Sequence, residues 1–106
     1  LRDEPANLPA VLLLAEVAAA GGNPELAERN YRRAVELGAD PAGFWQPWVD
    51  QLIVLGRFDD ALARLDATPV AAADRPAALL RRGRALRGLG RPSDAEAVFR
   101  EAAGLA

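Results

Sequence analysis

Apolar positions along the chain recur on two superimposed spacings. Over residues 8–20, 24–37, 42–55, 58–68, 75–89 and 92–104 they fall three and four apart, the mark of one buried face on a helix. No segment alternates apolar and polar residues over the length of a strand, so no sheet is expected. The longer spacing is 34 residues and places Gly22, Gly56 and Gly90 in one phase, followed by Ala27, Ala61 and Ala95. Tyr31, Leu65 and Phe99 share the next large position, and Ala34, Thr68 and Ala102 the next small one. Upstream, Val11, Trp45 and Leu79 correspond, as do Leu14, Trp48 and Arg82, and Ala18, Leu52 and Leu86. Three copies in register, without an insertion, describe a repeated unit of two helices.

The punctuation agrees with that unit. Each phased glycine ends a first helix, where a left-handed residue closes the C-terminus without a Cβ clash. Asn23-Pro24 supplies an N-cap and then a proline whose missing N–H costs nothing at the first helical position. Asp40-Pro41 and Asp74-Arg75-Pro76 are expected to open the next copies in the same way. Pro69 should stop the fourth helix early, because the residue before a proline is pushed out of the helical region. Alanine at 27, 61 and 95 lets paired helices approach, where a leucine would overpack the contact.

The segment FWQPWVDQLIVLG, residues 44–56, holds the only two tryptophans. Their spacing puts Trp45 and Trp48 on the buried face, continued by Leu52 and Leu55. Phe44 falls off that face and is the better candidate for an exposed aromatic. Pro47 is tolerated if the helix starts at Phe44 or Trp45. Arg82 is anomalous: it lies on the apolar face and must reach solvent or find an acid.

A 34-residue helix–turn–helix unit with this pattern resembles the tetratricopeptide repeat. The second-helix half of that signature is kept in Ala27/Tyr31/Ala34 and Ala95/Phe99/Ala102, and is weaker in Ala61/Leu65/Thr68. Its tryptophan position holds Trp45, in the middle copy only. The small residue after the leucine position is Ala15 and Gly83 in the outer copies but Val49 in the middle one. The resemblance covers residues 8–106 and implies an all-α fold, an α-solenoid of three helix–turn–helix repeats. Six antiparallel helices would wind into a right-handed superhelix. The repeats would run over about 8–41, 42–75 and 76–106, with 1–7 the tail of a preceding repeat or a linker, since Pro5 falls at a terminal-proline position. The opening at Leu1, without methionine, fits a piece of a longer chain.

The resemblance also implies a non-enzymatic scaffold that binds a peptide or protein segment in a concave groove lined by the first helix of each repeat. Projected at 100° per residue, those groove positions are Leu12 and Glu16, then Gln46, Asp50 and Ile53, then Leu80, Arg81, Arg84 and Arg87. Some chaperone-binding members grip a C-terminal carboxylate with a Lys/Asn/Arg clamp. Here its places hold Leu12, Glu16, Pro47 and Ala77, and Arg81 alone matches, so that reading is not supported.

Charge sharpens the picture at one place. All 13 basic residues are arginines, against 15 acids, for a net charge of −2, which argues against nucleic acid as a partner. From 75 to 91 there are six arginines and no acid. Arg81, Arg84 and Arg87 are candidates to bind an acidic or carboxylate-bearing segment through guanidinium forks. The competing reading is a solvated face with local salt bridges, Asp50 and Arg84 neutralising one another.

Cysteine, methionine and histidine are absent, so there is no disulfide framework, thiolate metal site or thiol nucleophile, and no cofactor is expected. Cysteine usage leaves the compartment open, with a cytoplasmic placement preferred. The arginine, alanine, glycine and proline usage suits a GC-rich bacterial genome. Apolar runs fall far short of the ~20 residues that span a bilayer, so no membrane contact is expected. Ser93-Asp94 and Asp59-Asp60 lie at helix starts, where capping and dipole compensation account for them. No catalytic constellation remains, and an enzyme is rejected. The alternative to a groove scaffold is a structural or self-association module in a larger protein. The chain ends close after Phe99, and Val98, Ala102 and Leu105 would leave an apolar edge through which a homodimer forms.

Overall fold

The computed structural model describes residues 7–105, so Pro5 and the proposed tail of a preceding repeat lie outside the described residues. The described residues form six α-helices: α1 (Leu8–Ala20), α2 (Pro24–Glu36), α3 (Trp45–Val54), α4 (Phe58–Ala67), α5 (Arg75–Gly88) and α6 (Pro92–Gly104), with no strand among them. Short 3-10 turns at Pro41–Gly43 and Ala72–Asp74 lead into α3 and α5. Each helix packs on the next, and α3 also touches α5. The molecule measures 52 × 27 × 21 Å, with a radius of gyration of 15.0 Å. A rounded domain of this length has a radius of about 13 Å. The elongation follows from helical hairpins that contact only their neighbours.

The helix ends follow the sequence in part. Gly22, Gly56 and Gly90 have φ of 77°, 74° and 76°, the left-handed conformation expected of them. Asn23 caps α2 as expected, its Oδ1 accepting the Leu26 amide at 3.2 Å, and Asn7 does the same for Ala10 at 3.1 Å. Later starts differ. Asp40 accepts the Ala42 amide inside the 3-10 turn, and α3 begins at Trp45, not at 42. Asp74 makes no side-chain cap. Arg57 and Arg91 occupy the N-cap positions of α4 and α6, and their Nε atoms donate to Asp60 and Asp94 at 2.9 Å. Ser93 is thus inside α6, and Asp94 is held by Arg91 in the first turn, where the helix dipole favours its charge.

The core is built on small residues at the helix contacts. Ala15, Ala27, Ala34, Ala61 and Ala95 are buried, as the 34-residue pattern requires. In α5 the same economy goes further. A Cβ on Gly83 would meet the Phe99 ring at 2.3 Å, and one on Gly88 the Phe58 ring at 2.4 Å. The two glycines therefore seat rings from α6 and α4 directly on the α5 backbone.

The α2–α3 junction is aromatic. Trp45 and Trp48 are 4% and 3% exposed, so both indoles point inward as the spacing predicts. Phe44 corrects the sequence reading: it is buried, 5.4 Å from the Tyr31 ring centroid and 6.0 Å from that of Trp48. The helical projection placed it outside because it assumed a helix through residue 44. The 3-10 turn leaves Phe44 as the N-cap instead, with φ −151° and ψ 21°, and swings its ring into the cluster. Pro47 then sits in the first turn of α3, where its missing N–H is harmless.

One charge is buried in this junction. Glu28, 3% exposed, accepts from Trp48 Nε1 at 3.2 Å and from Arg57 Nη1 at 2.9 Å, and pairs with Arg32 one turn along α2. Burial pushes its pKa up. Hydrogen bonds from Arg32 and Trp48 and the charges of Arg32 and Arg57 outweigh that and hold it below the ordinary 4.5. Arg64 closes the cluster from outside, its guanidinium 4.2 Å from the Trp48 ring centroid.

At the position of Trp48 the third hairpin holds Arg82, which finds an acid as anticipated: its Nη2 donates to Asp66 on α4. The first hairpin holds Leu14 there, and Leu14 is 54% exposed. This position faces the second helix of the hairpin before, and no such helix precedes α1 among the described residues.

Two outcomes are expected. Ala61→Leu puts three extra carbons into a closed contact and lowers stability by about 1–3 kcal/mol, read by urea denaturation; an unchanged midpoint would contradict the close approach of the helices. Glu28→Gln weakens the charge-assisted bonds and lowers stability at pH 7 by about 1–3 kcal/mol. Because the folded-state pKa is depressed, the unfolded chain binds the proton more readily. The difference between wild type and variant is therefore fully present above 4.5 and shrinks as pH falls through the folded pKa. A pH-independent difference would contradict it.

Candidate partner-binding surface

The nine residues singled out from the sequence lie on α1, α3 and α5, or at the first turn of α3. The structure divides them into three groups. Leu12, Gln46 and Ile53 are half-buried, and Leu12 and Ile53 pack against the core. Asp50 and Arg81 bind one another. Glu16, Leu80, Arg84 and Arg87 are exposed.

The Asp50–Arg81 pair joins α3 to α5. Arg81 Nε donates to Asp50 Oδ1 at 2.8 Å and Nη2 to Oδ2 at 3.0 Å, a two-pronged guanidinium–carboxylate fork. Its Nη1 also donates to the Ala77 carbonyl at 3.1 Å, and its guanidinium carbon lies 5.6 Å from the Trp45 ring centroid. With only 14% of its side chain exposed, Arg81 is a structural tie between hairpins. This corrects the expected Asp50–Arg84 neutralisation. Repeat equivalence put Asp50 and Arg84 at the same height, but α5 meets α3 with Arg81, one turn earlier, against the acid.

The other arginines between 75 and 91 sort in the same manner. Arg75 reaches Glu101 on α6 at 2.7 Å, Arg82 binds Asp66 on α4, and Arg91 binds Asp94 on α6. Four of the six are thus paired, three with acids brought from other helices and Arg91 with an acid in the first turn of the helix it caps. Arg84 and Arg87, one turn apart on α5, are exposed and make no ion pair among the described residues. On α1, Glu16 lies near Tyr31: burial raises the phenol above its ordinary 10.0, and the Glu16 charge adds to the rise.

Two features escaped the sequence reading. The acids that neutralise the arginine-rich stretch are distant along the chain, Asp50, Asp66 and Glu101, and only the helix packing brings them in. Glu28 was also missed. Its one signal was its place on an otherwise apolar face, where the middle copy has Leu62. Among the described residues no cluster of potential metal ligands is present, and no helix is long and apolar enough to cross a membrane.

A family model for the tetratricopeptide repeat matches residues 8–33 and 76–101. The two matches are offset by twice the 34-residue period and cover the first and third hairpins. The middle hairpin, with Val49, Leu65 and Thr68 at signature positions, lies between them. No curated protein matches the chain. Tetratricopeptide repeats generally mediate protein–protein contacts and are typically non-enzymatic. With six helices in consecutive hairpins and the family model matched at two of them, the chain belongs to the tetratricopeptide repeat family.

Proposed function

We propose that this chain is a protein–protein interaction scaffold that holds a partner segment against the face shared by the first helices, α1, α3 and α5. The reading rests on one observation. Of six arginines between 75 and 91, four are neutralised within the fold and two adjacent ones, Arg84 and Arg87, are left exposed. Two guanidinium forks one helical turn apart match carboxylates on an extended or helical segment. Leu80 beside them, also exposed, offers an apolar contact. The preferred partner is therefore an acidic or carboxylate-bearing protein segment. Asp50 and Arg81 set the angle between α3 and α5, and so the shape of this face.

A second reading is favoured by a different observation. Leu13, Leu14 and Val17 are exposed along α1, and Leu105 is exposed at the other end of the stack. Val98 and Ala102, expected to form an apolar edge, are half-buried. In this reading the outer face of α1 packs against another protein surface, a second copy included, and the chain serves assembly.

An array of acidic peptides tests the first reading. Arg84→Glu with Arg87→Glu is expected to abolish binding of the best ligands while leaving thermal unfolding within a few degrees. Unchanged binding to every ligand would remove the role of this face. Sedimentation over a range of concentrations tests the second. Association that disappears in Val17→Glu supports it, and a monomer at every concentration removes self-association.

A further inference from the structure

The α2–α3 and α4–α5 junctions are built from corresponding positions 34 residues apart, yet they are filled differently. In the first, four aromatic side chains, Tyr31, Phe44, Trp45 and Trp48, close the space between the helices. Their counterparts in the second are Leu65, Ala78, Leu79 and Arg82. Every ring is replaced by a residue without one. The second junction is also opened by the backbone. Pro69 ends α4 at Ala67, whereas α2 continues to Glu36, so the last turn of the second helix is missing. Together these changes leave a cavity of about 440 Å³, lined chiefly by Leu65, Thr68, Val70, Ala78, Leu79 and Arg82.

We propose that this cavity binds an aromatic side chain, Phe or Trp, presented by a partner protein. The occupant is indicated by the fold itself, because the corresponding space one repeat earlier is occupied by aromatic rings. Five of the eight lining residues are aliphatic, and the one hydroxyl among them is satisfied: Thr68 Oγ1 donates to the Arg64 carbonyl at 2.8 Å. The remaining polarity is cationic. Arg82 pairs with Asp66 and the more exposed Arg75 with Glu101, which sets two guanidiniums among the lining residues. A guanidinium complements the negative face of an aromatic ring, and Arg64 over Trp48 at 4.2 Å shows the same pairing in the neighbouring junction. An aliphatic side chain has no such face. Size agrees: the space, a cleft partly open to solvent, exceeds the ~150 Å³ that holds benzene in a closed apolar cavity, and so leaves room for an indole and the backbone that carries it. The site does not use Arg84 or Arg87, so it stands or falls independently of the acidic-segment reading.

The test is a methyl NMR titration of the chain with uncharged peptides, Gly-Ser-Phe-Ser-Gly and Gly-Ser-Trp-Ser-Gly, capped at both ends, against the same peptide with alanine at the centre. Shifts that saturate in the millimolar range are expected at the methyls of Leu65, Val70, Ala78 and Leu79 with the aromatic peptides only. Ala78→Phe restores the residue found one repeat earlier. It is expected to fill the cavity, preserve or raise the melting temperature, and weaken binding by about tenfold or more. Should that variant misfold by circular dichroism, Ala78→Leu serves as the smaller filler. Absence of shifts with the aromatic peptides, equal shifts with the alanine peptide, or undiminished binding to a folded filled variant would each overturn the assignment.

Discussion

The stack depends on how one hairpin grips the next, and the first grips the second through the buried carboxylate of Glu28, which accepts from the indole of Trp48. An isolated carboxylate in that position would be strongly unfavourable. Here it is tolerated because three donors from three elements converge on it: Arg32 from α2, Trp48 from α3, and Arg57 at the head of α4. The indole N–H, which needs a partner once buried, finds it in the same group. The interaction therefore does more than fill space. It ties α2, α3 and the start of α4 at one point and fixes the rotation of α3, on which the burial of Trp45 and Phe44 depends.

The second junction answers the same geometric problem with weaker means. Arg82 and Asp66 replace the indole and the carboxylate network, and the Asp66 side chain is largely exposed. Exposed pairs of this kind contribute about 0–1 kcal/mol, far less than an aromatic cluster buries in apolar area. The Asp50–Arg81 fork supplements it from the other side of α5, and there the geometry is better, two-pronged and half-buried. The boundary between the second and third hairpins is thus held by ion pairs at its edges, α4 to α5 on one side and α3 to α5 on the other, around an incompletely filled centre. A solenoid whose neighbours differ this much in packing opens first at its weakest junction.

The period, the helices and the inward turn of both tryptophans were legible in the sequence, because each rests on local rules. Glycines at 34-residue intervals mark positions where only a left-handed residue closes the helix, and three- and four-residue spacing identifies a buried face without knowledge of the partner. What failed was read across a boundary. Phe44 was assigned outward because the projection carried a helix through Pro41–Gly43, where a 3-10 turn intervenes. Asp50 was matched to Arg84 because equal repeat positions were taken for contact, whereas neighbouring helices are offset by about a turn. Leu14 shares a phase with Trp48, but phase alone does not supply the helix that would cover it. The candidate surface was legible as a set of helix faces. Which of its charges remain unpaired was not, since that depends on acids up to two helices away.

The exclusive use of arginine bears on that last point. A lysine ammonium neutralises an acid from a flexible stem, but it cannot hold two helices at a fixed separation. Arg81 spans α3 and α5 with a two-pronged fork, Arg75 and Arg82 reach from α5 to α6 and α4, and Arg57 joins α4 to α2. In a stack of small, alanine-rich contacts these planar side chains act as spacers between hairpins. A guanidinium positioned by an acid on one side can still face a ring on the other, as Arg81 does between Asp50 and Trp45. An arginine-rich helix in this chain is therefore better understood as a frame that holds its neighbours in place than as a reservoir of free positive charge. On α5, Arg84 and Arg87 are the guanidiniums that this frame leaves exposed and without an acid among the described residues.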